Sequence, residues 1–201
     1  MHLPKKGLRI LGIAESFSRR THSTLAGVVM RKDLRIDGFT FGTVQVGGMD
    51  ATDTLLAMIA DLKRRDLNAI MLSGCVIAWF NIIDPERIFD ETGIPVIGVS
   101  YEESSGLNEE IRTHFPGDTI RLAIYQKLGE RNPVAMHTGE TLYLRSWGLS
   151  VPDASRLCND FLYEGSIPEP LRVARLCARR LSGYTGWKPA ADQTNDPCLQ
   201  G

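Results

Sequence analysis

Carboxylates recur just beyond the apolar runs of this 201-residue sequence, and that placement is the first pointer to chemistry. Glu15 closes a run that ends at Ala14, Asp50 and Asp53 follow Gly47-Gly48, Asp84 precedes Pro85, and Glu102 and Glu103 follow Tyr101. Apolar runs of this kind read as strands, and ligands of α/β sheets gather beyond the carboxyl ends of parallel strands. Oxygen donors converging there suit Mg²⁺ or Mn²⁺, hard cations that keep several waters. Two such ions support phosphodiester hydrolysis. The candidate catalytic set is therefore Glu15, Asp50 and Asp84, and the candidate metal ligands are Glu15, Asp50 and Asp53. Plainer readings stand beside these. Asp50 and Asp84 each occupy a helix N-cap position, and Glu102 and Glu103 suit a solvated turn.

Uncharged and basic residues supply a second set. Ser73 ends an apolar run, and Asn81 lies among Trp79, Phe80 and Ile82. A buried amide needs hydrogen-bond partners, so a binding role and a structural bond are equally open for Asn81. Arg172, Arg175 and Arg179 fall at i, i+3 and i+7 of a segment opened by Pro168 and Pro170. That spacing puts them on one helix face, with Val173, Leu176, Cys177 and Leu181 on much of the other. A basic face can grip phosphate; a solvated amphipathic face is the plainer reading. Candidate nucleic-acid contacts are Arg172, Arg175, Asn81 and Ser73.

Other chemistries find little support. None of His2, His22, His114 and His137 has a nucleophile near it in sequence, and the four cysteines form no CxxC pair. There is no P-loop and no GxGxxG. The formal net charge of -1 lacks the basic excess of a dedicated duplex-DNA binder. No apolar run approaches a membrane span. Cysteines without pairing motifs suit a reducing compartment, which gives a cytoplasmic expectation.

The elements that must position these residues follow from periodicity. Residues 8–14, 25–30 and 38–46 read as three strands, with Asp37-Gly38 a hairpin signal. A helix is expected over 52–65, a buried strand over 67–72, a helix from Asp84-Pro85 to Gly93, and a parallel strand over 95–100. Helices over 107–115 and 118–128, a strand pair over 134–137 and 141–147, and helices over 153–163 and 168–182 complete the order. Residues 1–190 are expected to form one domain and 191–201 a flexible tail. Three strands, then helix, strand, helix, strand, describe an RNase H-like mixed sheet: a meander followed by parallel strands with flanking helices. A doubly wound fold would need a helix after residue 14, where no helical period is found.

The stretches IDGFTFGTVQVGGMDATDTLLAMI, SGCVIAWFNIIDPERIFDETGIPVIGVS and GSIPEPLRVARL resemble domain-of-unknown-function family 99 (UPF0215), which is largely archaeal. The resemblance runs from about residue 8 to residue 181. That family is similar to endonuclease V, an RNase H-like enzyme that cuts nucleic acid near deaminated bases such as inosine with Mg²⁺ held by carboxylates. Its Asp-Gly-His-Gly-Ile-Ala block resembles Ser73-Gly74-Cys75-Val76-Ile77-Ala78, and its Gly-Ile-Pro-x-Ile-Gly-Val resembles Gly93-Ile94-Pro95-Val96-Ile97-Gly98-Val99. Its Pro-Gly-His-Arg resembles Glu169-Pro170-Leu171-Arg172. The departures fall on functional positions: Ser73 replaces the metal-binding Asp of the block, Ala14 replaces the first-strand Asp with Glu15 adjacent, and Leu171 replaces the His. The resemblance thus implies an endonuclease V-like nucleic-acid-binding domain with a degenerate metal site, taking single-stranded or deaminated nucleic acid. The alternative is a Mg²⁺- or Mn²⁺-dependent endonuclease with a rearranged carboxylate site. A third reading, a partner surface, rests on exposure of Trp79 and Phe80.

Overall fold

The computed structural model describes residues 7–17 and 21–183. Strand β1 (Arg9–Ser16) is followed by β2 (His22–Arg31) and β3 (Ile36–Gln45). Helix α1 (Ala51–Asp61) leads to β4 (Ala69–Ser73), the short strands β5 (Val76–Ile77) and β6 (Asn81–Ile82), α2 (Pro85–Thr92) and β7 (Val96–Ser100). Then come α3 (Asn108–His114), α4 (Thr119–Lys127), β8 (Asn132–Ala135), β9 (Thr141–Trp147), α5 (Val151–Asp160) and α6 (Glu169–Ser182). The main sheet runs β3-β2-β1-β4-β7-β9-β8. β1, β4 and β7 are parallel, and each remaining neighbour pair is antiparallel. This is the expected meander followed by parallel strands. The proposed tail, 191–201, lies outside the described residues.

The central strands are apolar on both sides because both sides are covered. Leu11, Ile13, Leu25, Ile70 and Leu72 pack under α1 and α2, in the layer that also takes Ile111 of α3 and Tyr125 of α4. Ile10, Ala14, Met71, Ile97 and Val99 pack against Leu157 of α5 and Leu171 and Ala174 of α6. Helix α6 approaches β1 closely: a Cβ on Gly12 would stand 2.5 Å from the Pro170 carbonyl carbon. Only glycine allows the helix to lie on the strand there.

Three expectations change. β2 begins at His22 rather than near 25, because Ser23 is buried and its hydroxyl lies 2.9 Å from the Ser16 carbonyl oxygen, which extends the β1–β2 ladder through polar residues. Residues 76–82 form a hairpin whose tip, Ala78, Trp79 and Phe80, has φ of 39°, 58° and 62°. Consecutive left-handed non-glycine residues are costly, so neighbours must hold them. Arg121, 4% exposed, does so: it donates to the carbonyls of Phe80, Gly48 and Gly47, pairs with Asp118 at 3.0 Å, and lies 3.9 Å from the centre of the Phe115 ring. Finally, α6 buries Leu171, Ala174 and Ala178, while Leu176, expected on the apolar face, is half exposed.

Candidate functional site

At the carboxyl ends of the parallel strands, register fixes who meets whom. Ile10 pairs with Ala69, Gly12 with Met71 and Ile13 with Leu72, so the next step sets Ala14 beside Ser73. Ser73 pairs in turn with Val99. Side chains alternate along a strand, and Ala14, Met71 and Val99 face α6. Ser73 and Tyr101 therefore point to that same side. Arg175 of α6 meets them: its Nη2 donates to Ser73 Oγ at 2.9 Å, and its guanidinium lies 5.1 Å from the centre of the Tyr101 ring. The Tyr101 hydroxyl is 3.4 Å from Ser73 Oγ. Burial pushes the Tyr101 phenol above its ordinary value, with Ser73 and Arg175 acting in the opposite sense. Ser16 Oγ, 3.0 Å from Ser182 Oγ, ties the end of β1 to the end of α6.

These groups open into a cleft of about 330 Å³ lined also by Glu102, Glu103, Ser104 and Arg131. Glu102 and Glu103 stand exposed at its rim, whereas Arg131 and Arg175 are half-buried. The cations are thus less screened by solvent than the carboxylates, and the floor of the cleft presents positive charge and hydroxyls. Such a floor suits a phosphate oxygen.

The carboxylates singled out in the sequence do not join there. Glu15 falls on the α1 side of the sheet by strand alternation with Leu11 and Ile13, and its Oε1 accepts from the Ser23 hydroxyl. Asp50 stands at the N-cap position of α1 but makes no capping bond; its carboxylate accepts from Gln45 N at 3.0 and 3.2 Å and from Asn81 Nδ2 at 2.6 Å. Asp53 is a solvent-facing partner of Arg87 at 2.8 Å. Asp84 caps α2, accepting from Arg87 N at 3.1 Å, and lies 3.4 Å from Lys127 Nζ. The sets Glu15–Asp50–Asp84 and Glu15–Asp50–Asp53 are thus not gathered at this cleft: Asp50, Asp53 and Asp84 are engaged in loop bonds, a cap and ion pairs, and Glu15 lies across the sheet from it.

Asn81 takes the structural one of its two readings. It has no exposed surface; its Oδ1 accepts from Ala51 N at 3.1 Å and its Nδ2 donates to Gln45 O and Asp50, so the amide is spent on the start of α1. Arg172 is held by both oxygens of Glu169, at 2.8 and 2.6 Å, beside the cleft rather than in it. Ser73 and Arg175 are the two expected residues the fold brings together at the cleft; Asp50 and Asn81 also meet, outside its lining. Tyr101, Arg131 and Arg145 were not among the expected ligands. Arg145 carried a signal, since it takes a buried alternate position between Tyr143 and Trp147 in a strand.

Mg²⁺ or Mn²⁺ does not fit this edge. The two positions where a carboxylate pair would hold a cation carry Ala14 and Ser73, and the guanidinium of Arg175 already lies on Ser73. A fixed cation there repels a divalent ion. Among the described residues no three His, Cys, Asp or Glu side chains cluster as ligands. The two buried thiols are poorly placed to act as nucleophiles: burial pushes Cys75 up to about 11 and Cys158 up to about 12.

Known proteins resemble this chain over most of its length. The sequence pattern described as Endonuclease dU matches residues 6–182. A UPF0215 protein of Pyrobaculum calidifontis is 37% identical over 179 residues, covering 87% of this chain and 97% of the relative. A protein of unknown function from Archaeoglobus fulgidus superposes with a TM-score of 0.75 at 28% identity, covering 87% of this chain and 98% of that one. Ciona intestinalis endonuclease V, solved with a 24mer DNA containing an inosine, superposes with a TM-score of 0.60 at 13% identity, covering 88% and 87%. The last likeness is one of fold: the sheet is RNase H-like and endonuclease V-like. Among the described residues no helix is long and apolar enough to cross a membrane.

Proposed function

This chain belongs to the Endonuclease dU family, and from that premise we propose that it binds a single strand carrying a deaminated base, with deoxyuridine the first candidate. The strand lies across the ends of β4 and β7, with a phosphate seated on Arg175 and Ser73. The observation that carries this reading is the guanidinium of Arg175 set on Ser73 Oγ at the strand ends, beside Ala14. With two neutral residues at these positions, fixed positive charge replaces a metal as the means of holding a phosphate. Arg131 extends that charge along the cleft, and the Tyr101 ring offers an apolar flank.

Cleavage of the bound strand is the second reading, favoured by the family description. In either case the chain's own residues at the cleft do the binding and orienting. The test is fluorescence anisotropy with a labelled deoxyuridine strand, a matched thymidine strand, and each in the presence of EDTA. Tighter binding of the deoxyuridine strand, unchanged by EDTA, is expected. Equal affinity for both strands would remove the deaminated-base reading, and loss of binding with EDTA would remove the cation-for-metal argument.

A further inference from the structure

A second, larger cleft lies round the strand ends from the first. It has a volume of about 550 Å³ and is lined by Arg145 and Tyr143 of β9, Tyr125 of α4, Asn108 of α3 and Arg131, with Glu103 and Glu130 exposed at its rim. Arg145 is only 9% exposed. Its Nε donates to the Gly129 carbonyl at 2.9 Å and its guanidinium lies near the Tyr125 hydroxyl, and among the described residues it forms no ion pair with a carboxylate. Buried charges are ordinarily paired. Cys75, which lies near it, is kept protonated by burial and offers no counter-charge, and the carboxylates of the cleft, Glu103 and Glu130, stand exposed at its rim. Arg131 adds a second cation that repels it. A further polar group is also left over: Asn108 Oδ1 is buried without a partner, and the same amide turned over presents N–H donors.

A buried guanidinium, a second arginine without a carboxylate partner among the described residues, and an unmatched amide converge on one water-accessible space. That combination suits an anion with several acceptor oxygens. We propose that the Arg145 cleft is a phosphate-binding site, in which Arg145 and Arg131 grip one phosphate group and Asn108 and Tyr125 orient it. The site is separate from the Arg175 cleft but continuous with it, because Glu103, Ser104 and Arg131 line both. The phosphate is therefore either a phosphodiester of the strand proposed above, one or more nucleotides along, or a free phosphate monoester. The first source rests on the proposed function, and the second does not.

Thermal unfolding and calorimetric titration with inorganic phosphate, against chloride at matched ionic strength, test the proposal. The parent protein is expected to melt at higher temperature with phosphate, since a ligand of the folded state stabilises it. Arg131→Gln, at the half-buried mouth, is expected to weaken phosphate binding about tenfold or more. Arg145→Met should abolish it, and Asn108→Ala, at a residue that lines this cleft and not the Arg175 cleft, should weaken it and decides the matter if Arg145→Met does not fold. No phosphate-dependent stabilisation of the parent, or parent-like affinity in Arg131→Gln, would overturn the assignment. Binding of the deoxyuridine strand is read in parallel. Phosphate binding with no strand binding supports the site while removing the strand reading. Competition between strand and phosphate assigns the site to the strand's path, and binding without competition assigns it to a free monoester.

Discussion

Among the described residues two arginines are buried, and their surroundings differ. Arg121, 4% exposed, meets three backbone carbonyls, the Asp118 carboxylate and the face of Phe115. Arg145, 9% exposed, meets one carbonyl and a tyrosine hydroxyl and faces an open cleft. A guanidinium has five N–H donors in a rigid fork. Arg121 uses them to hold the left-handed hairpin tip and the Gly47-Gly48 turn in place. Arg145 leaves donors and charge unmatched at a wall that solvent and ligands reach. The difference separates a buried charge that completes the structure from one that awaits a partner.

The largest expected effect breaks the first half of that contrast. Arg121→Ala strands the Gly47, Gly48 and Phe80 carbonyls and the Asp118 carboxylate, and should cost about 3–5 kcal/mol of stability by urea unfolding. A loss below about 1 kcal/mol would mean that the hairpin tip holds its strained backbone without the arginine. Next is Gly12→Ala, which tests whether α6 is seated on β1 as described. A Cβ 2.5 Å from the Pro170 backbone must displace the helix, at about 1–3 kcal/mol. Because α6 carries Arg175, this variant should also weaken strand binding. Arg175→Ala removes one charged contact and should weaken strand affinity about tenfold, roughly 1.4 kcal/mol, with the urea midpoint nearly unchanged.

The smallest effect is a pH dependence. Hydrogen bonds from Arg121, backbone first, hold the Asp118 carboxyl below its ordinary value of 3.8. A depressed carboxylate contributes stability that is complete above the unfolded value and is lost as pH falls through the folded one. The parent should therefore lose this increment below about pH 4, and Asp118→Asn should flatten that part of the acid unfolding curve. A variant with the parent's acid profile would show the pair to be irrelevant to stability.

Much of the architecture was legible in the sequence. The apolar runs, the Asp84-Pro85 helix start and the Gly93 stop gave the order of elements, and that order carries the sheet topology. The start of β2 was not legible, because Ser23 and Thr24 look like loop residues until Ser23 is seen against Glu15 and Ser16. The hairpin tip was hidden for the opposite reason: Trp79 and Phe80 have no propensity for positive φ, and the tertiary contacts of Arg121 impose it. Of the site, Ser73 and Arg175 could be read from strand end and helix spacing. Tyr101 and Arg131 could not, and Arg145 showed only as a charge within a strand's alternation, since sheet order alone brings β9 beside β7 and sets these groups round one edge. The placement of the acidic candidates was not legible, because a carboxylate after an apolar run serves equally as a helix cap, as Asp84 does.

A salt titration of single-strand binding by the unmodified protein tests the cationic edge most directly. If Arg131, Arg145 and Arg175 each meet a phosphate, log K should fall linearly with log salt with a slope of about −2, at roughly 0.7 per phosphate. A slope near zero, or no measurable affinity at low salt, would contradict a phosphate path along these strand ends.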